Sequence, residues 1–446
     1  MRKPKEAPKI SDLLNETAAN RLVSVFSHCG GSSVEGRYLH WTKLQYYQPP
    51  DDLNHREWWL ALKMSRKNYS HRVPLMDRLG SPFHYVTVDP IPERLHQIDL
   101  GAGGHIEVSP GLQEITNSET RDRYYIRSLI EEAITSSQLE GAATTRQAAK
   151  EMIKMGKKPA DRSELMILNN YRTMQRIGQL RKEPLSIDLI LEIHKLITNK
   201  TLDNSSAAGR FRNDSEHVVV DDMYGEELHD PPSASKIEEQ MTEMCDFANG
   251  KTPINEFVSP TIRSIILHFW LSYVHPFVDG NGRTARALFY WSMLHHGYWL
   301  FEFISISHII RKGPAKYGRA FLYTESDDND LTYFILYHLD VIHRALNQLH
   351  AYLKKKSQDL QRLEAELRGI VILNHRQRAL VSHALRHARQ IYTIESHRLS
   401  HNVVYQTART DLLDLVERGL LRKEKAGKTW RFAPTEDIEE RLRTLT

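Results

Sequence analysis

Residues 275–286 read HPFVDGNGRTAR, a histidine, an aspartate, two glycines around an asparagine, and two arginines within twelve positions. Gly280 and Gly282 permit backbone angles closed to other residues. With Asn281 between them, successive amides can converge on one anion. A helix starting near Arg283 would aim its first amides, and the positive end of its dipole, at the same point. Arg283 and Arg286 are three residues apart and share a helix face, and guanidinium forks suit phosphate oxygens. Asp279 offers a hard oxygen ligand for Mg2+ between phosphates. His275 can take a proton from a hydroxyl near neutral pH. An amide nest, two arginines, a metal carboxylate and a base are the parts of phosphoryl or nucleotidyl transfer. Turn chemistry alone would explain Gly-Asn-Gly, but not the charged groups placed around it.

The elements that must hold these residues are mostly helical. SPTIRSIILHFWLSYV (259–274) opens on Ser-Pro and repeats Ile262, Ile265, Ile266, Phe269, Trp270 and Tyr273 at helical spacing, so a helix should run into His275. Further helices are expected over 118–141 and 185–198, and one or two long ones over 330–372. SEHVVVDDMYGEELHDPP (215–232) reads as a hairpin or flap. In 83–104 a strand followed by turns is expected. Beyond 374 the order is helix, strand edge with a short helix, longer helix, then a hairpin with a Gly turn, which is the order of a winged helix-turn-helix. The predicted fold class is mainly α: a helical core with a β-hairpin flap, plus an N-terminal accessory region and a C-terminal winged helix-turn-helix domain. The predicted divisions are 1–110 (accessory), 111–350 (core), 351–368 (helical linker) and 369–446 (winged helix).

Composition is that of an ordinary soluble globular chain: 446 residues, 40% hydrophobic, 26% charged, net charge +4. Cys29 and Cys245 cannot build a disulfide framework or a zinc site, so a reducing, cytoplasmic setting is expected. The first residues lack an apolar run, and no stretch approaches a membrane span, so neither a signal peptide nor a membrane partner is expected. The 23 histidines are scattered without ligand spacing.

HPFVDGNGRTAR resembles the Fic family signature, His-Pro-Phe-x-Asp/Glu-Gly-Asn-Gly-Arg-x-x-Arg, at every defined position. GRFRNDSEHVVV and HDPP are similar to that family's flap. SISHIIRKGPAKYGRAF resembles its segment near the adenosine, and DNDLTYFILYHL its closing helix. The resemblance covers about 118–350, with a winged helix of the kind appended in bacterial members. It implies a protein adenylyltransferase that uses ATP and Mg2+ and places AMP on a Ser, Thr or Tyr hydroxyl of a target protein. His275 would be the base and Asp279 the Mg2+ ligand. The amides of Gly280, Asn281 and Gly282 would hold the α- and β-phosphates, with the Asn281 side chain orienting an α-phosphate oxygen. Arg283 would contact the phosphates and Arg286 the γ-phosphate. Val219 and Val220 on the flap and Tyr317 would touch the nucleotide. SSQLEG is similar to the family's inhibitory Ser/Thr-x-x-x-Glu-Gly/Asn motif, giving Ser136, Glu140 and Gly141. Glu140 would pair with Arg286 in place of the γ-phosphate.

The chain departs from the family pattern at three positions: Asp230 precedes the prolines, Gly318 follows Tyr317, and Glu325 stands near the adenosine pocket. The partners to consider are ATP, a target protein, the chain itself, and a second copy in a homodimer. Duplex DNA is another, met by Gln406, Thr407 and Arg409 and by the basic wing RKEKAGKTWR. Two rival readings stay open: a related enzyme that uses another donor or removes AMP, and a DNA-binding regulator with the core as sensor.

Overall fold

The structure is a computed structural model describing residues 3–102, 118–221, 225–251, 257–369, 372–386, 390–426 and 429–444. The chain divides into two compact units, 1–106 with 127–346 and 107–126 with 347–446.

The first unit opens with α1 (Ile10–Glu16), α2 (Ala19–Ser27), α3 (Trp41–Leu44) and α4 (His55–Asn68). α4 starts at a capping box: Asn54 Oδ1 accepts from the amides of Arg56 and Glu57, and Glu57 accepts from the Asn54 amide. It buries Trp59 and Leu60 against Leu13, Val25 and Trp41. β1 (Ser70–Met76) pairs antiparallel with β2 (Pro82–Val86). The turns expected after β2 include a helix, α5 (Ile91–Ala102). Ile91, Ile98 and Ala102 recur at helical spacing and are buried. Pro92 falls in the first turn, where a missing N–H costs little. The expected division at 110 does not separate compact units. Lys63 Nζ lies 2.7 Å from Asp327 Oδ1, and the Leu331 amide donates to the His84 carbonyl.

The same unit continues from residue 127 in α6 (Ser118–Leu139), then α7 (Arg146–Met155), α8 (Arg162–Leu180) and α9 (Ile187–Ile197). The flap follows as β3 (Val220–Asp221) paired antiparallel with β4 (Glu227–His229); residues 222–224 between them lie outside the described residues. Then come α10 (Ile237–Ala248), α11 (Pro260–Val274), α12 (Asn281–His295), α13 (Ile306–Arg311), α14 (Pro314–Glu325) and α15 (Thr332–Gly369). α11 and α12 are buried almost all round, with Ile265, Phe269, Trp270, Leu288, Phe289 and Trp291 fully enclosed. A helix apolar on every side belongs at the centre of a core, so the loop joining these two is held at both ends.

The second unit contains the rest of α15, including the stretch expected as a linker, then α16 (His375–Arg386), α17 (Ile394–His401) and α18 (Tyr405–Glu417). β5 (Leu421–Ala426) pairs antiparallel with β6 (Thr429–Pro434), and α19 (Ile438–Thr444) closes it. The expected Gly turn of this hairpin, 427–428, lies outside the described residues. Leu380, Val381, Leu412, Leu415 and Phe432 form its core. Tyr392 and Phe432 exchange backbone hydrogen bonds at 2.8 and 2.9 Å. Among the described residues, no helix is long and apolar enough to cross a membrane.

Candidate active site

α11 ends at His275, whose φ of 49° is left-handed and whose amide closes on the Leu271 carbonyl. The chain then reverses and enters α12 at Gly280, φ 85°. Only glycine suits that position, because a Cβ would also come 2.8 Å from Thr198 Cγ2. The first bond of the α12 ladder is Thr284 N–H to Gly280 C=O. The amides of Asn281, Gly282 and Arg283 therefore precede the ladder and point out of the helix start. The helix begins two residues earlier than expected, so the glycine nest and its first turn are one structure.

The Asn281 side chain, expected to orient a phosphate oxygen, is turned into the loop. It is buried, its Oδ1 accepts from the Phe277 amide at 3.0 Å, and its Nδ2 donates to the Phe277 carbonyl at 2.8 Å. The carboxamide staples the loop to the backbone of Phe277, four residues earlier.

Two groups not expected as site residues complete this staple. His194 on α9 is fully buried and stacks on Phe277 at 3.7 Å between ring centroids. Its Nδ1 accepts from the Gly209 amide at 3.1 Å, so Nε2 bears the hydrogen and donates to the Asp279 carbonyl at 2.9 Å. Burial pushes its pKa down to about 4, in keeping with a neutral ring. In sequence it was one histidine on an apolar helix face, a pattern that reads as core. Arg212 is also buried. Its Nε donates to the His275 carbonyl at 2.9 Å and its Nη2 to the Pro232 carbonyl at 2.6 Å.

His275 Nδ1 lies 3.2 Å from the Ser272 carbonyl. A carbonyl only accepts, so the hydrogen sits on Nδ1 and Nε2 keeps its lone pair. Burial lowers its pKa to about 4, with the positive charges of His229 and Arg212 adding to the effect; the Ser272 bond and Glu140 oppose it. The ring is neutral and can accept a proton.

Arg283 is buried and loosely held. Nη2 is 3.5 Å from Asp279 Oδ1, Nη1 is 3.4 Å from the Ile197 carbonyl, and Nε has no hydrogen-bond partner. A buried guanidinium with an unused donor is unsatisfied until an acceptor arrives. Asp279 is 43% exposed; Oδ1 accepts from the Gly280 amide and Oδ2 is 3.9 Å from Arg162 Nη2. Such a carboxylate fits Mg2+, which keeps several waters and takes one or two carboxylates together with substrate phosphates.

Arg286 is buried and fully engaged on one side. Nε donates to Ser136 Oγ at 2.8 Å, and Nη2 donates to the Ser136 carbonyl at 3.0 Å and to Glu140 Oε1 at 2.8 Å. Ser136 sits in the last turns of α6, and Glu140 follows the helix end. Gly141, φ 90°, turns the chain away there, with the Ala142 amide bonded to the Ser137 carbonyl. Glu132 anchors α6 by accepting from Tyr290 Oη at 2.8 Å, Ser305 Oγ at 2.8 Å and the Ser307 amide at 3.1 Å. A Cβ on Gly282 would stand 2.3 Å from Glu140 Oε1, so the carboxylate rests directly over the first turn of α12. Burial raises the Glu140 pKa, but Arg286 and Arg283 hold it below the ordinary carboxylate value, so it is charged. An anion already occupies the place that the helix start and the two arginines create. Gly282 is needed for this close approach rather than for a left-handed backbone.

A cavity of about 190 Å³ adjoins the site, lined in part by His275, Arg286, Val220, Tyr317, Phe321 and Glu325. Of the three residues expected to touch the nucleotide, Val220 and Tyr317 line this cavity and Val219 is not among its lining residues. Tyr317 Oη is 2.9 Å from His268 Nε2.

Residues 184–293 match the sequence profile of the Fic/DOC family. The protein adenylyltransferase Fic of Nematostella vectensis is 38% identical over 108 residues, 24% of this chain and 22% of that protein. The protein adenylyltransferase fic-1 of Caenorhabditis elegans is 28% identical over 196 residues, 44% of this chain and 35% of that protein. The matched stretches thus span only 22% and 35% of those relatives' own length. The crystal structure of a Fic family protein from Desulfovibrio desulfuricans superposes with a TM-score of 0.51 at 19% identity. It covers 78% of this chain and 97% of that one, a likeness of fold.

Proposed function

We propose, on the premise that this chain carries a Fic domain over residues 184–293, that it is a Mg2+-dependent protein adenylyltransferase. It moves AMP from ATP to a Ser, Thr or Tyr hydroxyl of a target protein, the chain itself among the candidates. The observation that carries this reading is the meeting of three features on one short loop: a neutral His275, the first-turn amides of α12, and the buried Arg283 and Arg286. The amides and Arg283 hold the α- and β-phosphates, and Arg286 holds the γ-phosphate. Asp279 holds Mg2+, which when bound offsets charge on the phosphate oxygens. His275 Nε2 takes the proton as the hydroxyl oxygen bonds to the α-phosphorus. The bond from that phosphorus to the bridging oxygen breaks, and pyrophosphate leaves. The negative charge of the arriving triphosphate raises the basicity of His275 toward what general-base work requires.

Glu140 is the brake in this reading. Its carboxylate occupies the γ-phosphate's donor on Arg286 and repels the tail. The test is intact-mass measurement after the Glu140→Gly protein is incubated with Mg2+ and ATP or other nucleoside donors, alone and with cell extract. A gain of one AMP on this chain or on an extract protein supports the reading. Transfer from a different donor, or removal of AMP already present, would replace it with the corresponding rival.

The second unit supports a further reading, a winged helix-turn-helix on duplex DNA. Residues 372–446 hold fourteen Lys and Arg against nine Asp and Glu. Asp411 and Asp414 are tied to Arg376 and Arg418, whereas Lys423 and Lys425 lie over Trp430 on the exposed hairpin. Binding to duplex DNA should weaken steeply as salt rises. A mobility shift absent even at low salt would leave protein contact as the unit's role.

A further inference from the structure

Two of the positions where this chain departs from the family pattern, Asp230 and Glu325, flank one imidazole. His229 ends β4 and is buried. Its Nδ1 lies 2.6 Å from Glu325 Oε2 on α14, and its Nε2 lies 2.7 Å from the Tyr273 carbonyl in the last turn of α11. A carbonyl and a carboxylate both only accept, so the ring donates from both nitrogens and carries a positive charge. The next residue, Asp230, pairs with Arg78 in the turn between β1 and β2. Two residues further on, the Pro232 carbonyl accepts from Arg212, which also holds the His275 carbonyl. The base of the flap is thus tied to α14, to the N-terminal hairpin, and to α11 two residues before His275.

We propose that His229 is a positioning residue for His275: a fixed cation, locked between Glu325 and the end of α11, that sets the flap base and the histidine's backbone together. The proposal rests on the reading of His275 as the base. Glu325, Asp230 (itself on Arg78), Tyr273 and His275 face the ring, with Asp77 near Tyr273. Burial works against the charge on His229, but Glu325, the Tyr273 carbonyl and Asp230 together more than offset it and the pKa is raised. The contribution is therefore complete below the ordinary imidazole range, and it is lost as pH rises through the raised value. His229 in turn helps keep His275 unprotonated.

The test compares the Glu140→Gly protein, which lifts the brake, with the same protein carrying in addition His229→Asn or Glu325→Gln. Side-chain nitrogen NMR at pH 7 should show His229 protonated on both nitrogens, and Glu325→Gln, which keeps the shape of the contact, should lose that signal. In transfer assays His229→Asn should lower kcat roughly tenfold to a hundredfold with little change in KM for ATP. Glu325→Gln should move the alkaline fall in kcat to lower pH. A ring neutral at pH 7, or unchanged kcat and pH profile, overturns the proposal. If the Glu140→Gly parent transfers no AMP, the reading of the reaction fails, but positioning is still decided by amide exchange over 271–275. His229→Asn must speed that exchange, and unchanged exchange overturns the proposal.

Discussion

With Glu140 in place, Nε and both hydrogens of Nη2 on Arg286 are committed to Ser136 and Glu140. A phosphate tail must displace the carboxylate to use that edge. Glu140→Gly should therefore tighten binding of a non-hydrolysable ATP analogue by roughly tenfold or more, since the competing state is removed. Titration calorimetry checks this, and equal affinities would remove the brake. His275→Ala should lower kcat by about 10²- to 10⁴-fold, the usual loss of a general base, while analogue binding persists. Loss of binding along with rate would show the ring to be part of the nucleotide site instead. The sequence carried the residue types of the 275–286 segment, because an anion nest and its charges are local. It could not tell what Asn281 and Gly282 do: one is consumed by Phe277, and the other exists for a carboxylate 142 positions upstream in the chain.

The α11–loop–α12 unit was legible from apolar spacing and the Ser-Pro start. The burial of the two helices almost all round was not, because the expected repeat of Ile262, Ile265, Ile266, Phe269, Trp270 and Tyr273 marks only part of the first helix. The loop's supports come from distant elements, His194 on α9 and Arg212 ahead of the flap, and no local pattern points to them. Asn281→Ala would leave the amide and carbonyl of Phe277 without their partner. Stability should fall by about 1–3 kcal/mol for such a loss, read as a lower denaturation midpoint. An unchanged midpoint would mean that the loop holds its shape without the staple. Helix α5 was missed because Pro90 and Pro92 bracket its start and read as turn signals, although Pro92 merely occupies a first turn.

The N-terminal residues read as an accessory region in sequence, yet they fold in one unit with the core around a buried charge cluster. Lys63 lies on Asp327 and Asp328, Arg66 is 3.9 Å from Asp327, and Tyr333 Oη donates to Asp327 at 2.7 Å. Opposite charges 264 residues apart leave no trace in local periodicity. Asp327→Ala removes the buried carboxylate that Lys63 and Arg66 share and should cost about 3–5 kcal/mol. Burial raises the Asp327 pKa, but Lys63 and Arg66 hold it below its ordinary value. Its contribution is thus present above the ordinary carboxylate range and fades as pH falls through the lowered value, and an acid titration of wild type against Asp327→Asn would follow that. The central claim, that the loop presents a triphosphate to His275 for attack at the α-phosphorus, is met most directly by label transfer from ATP. With the Glu140→Gly protein and Mg2+, protein should acquire label from α-labelled ATP and none from γ-labelled ATP, and adding His275→Ala should abolish it. Label from the γ position, or undiminished α-label without the imidazole, would contradict the account.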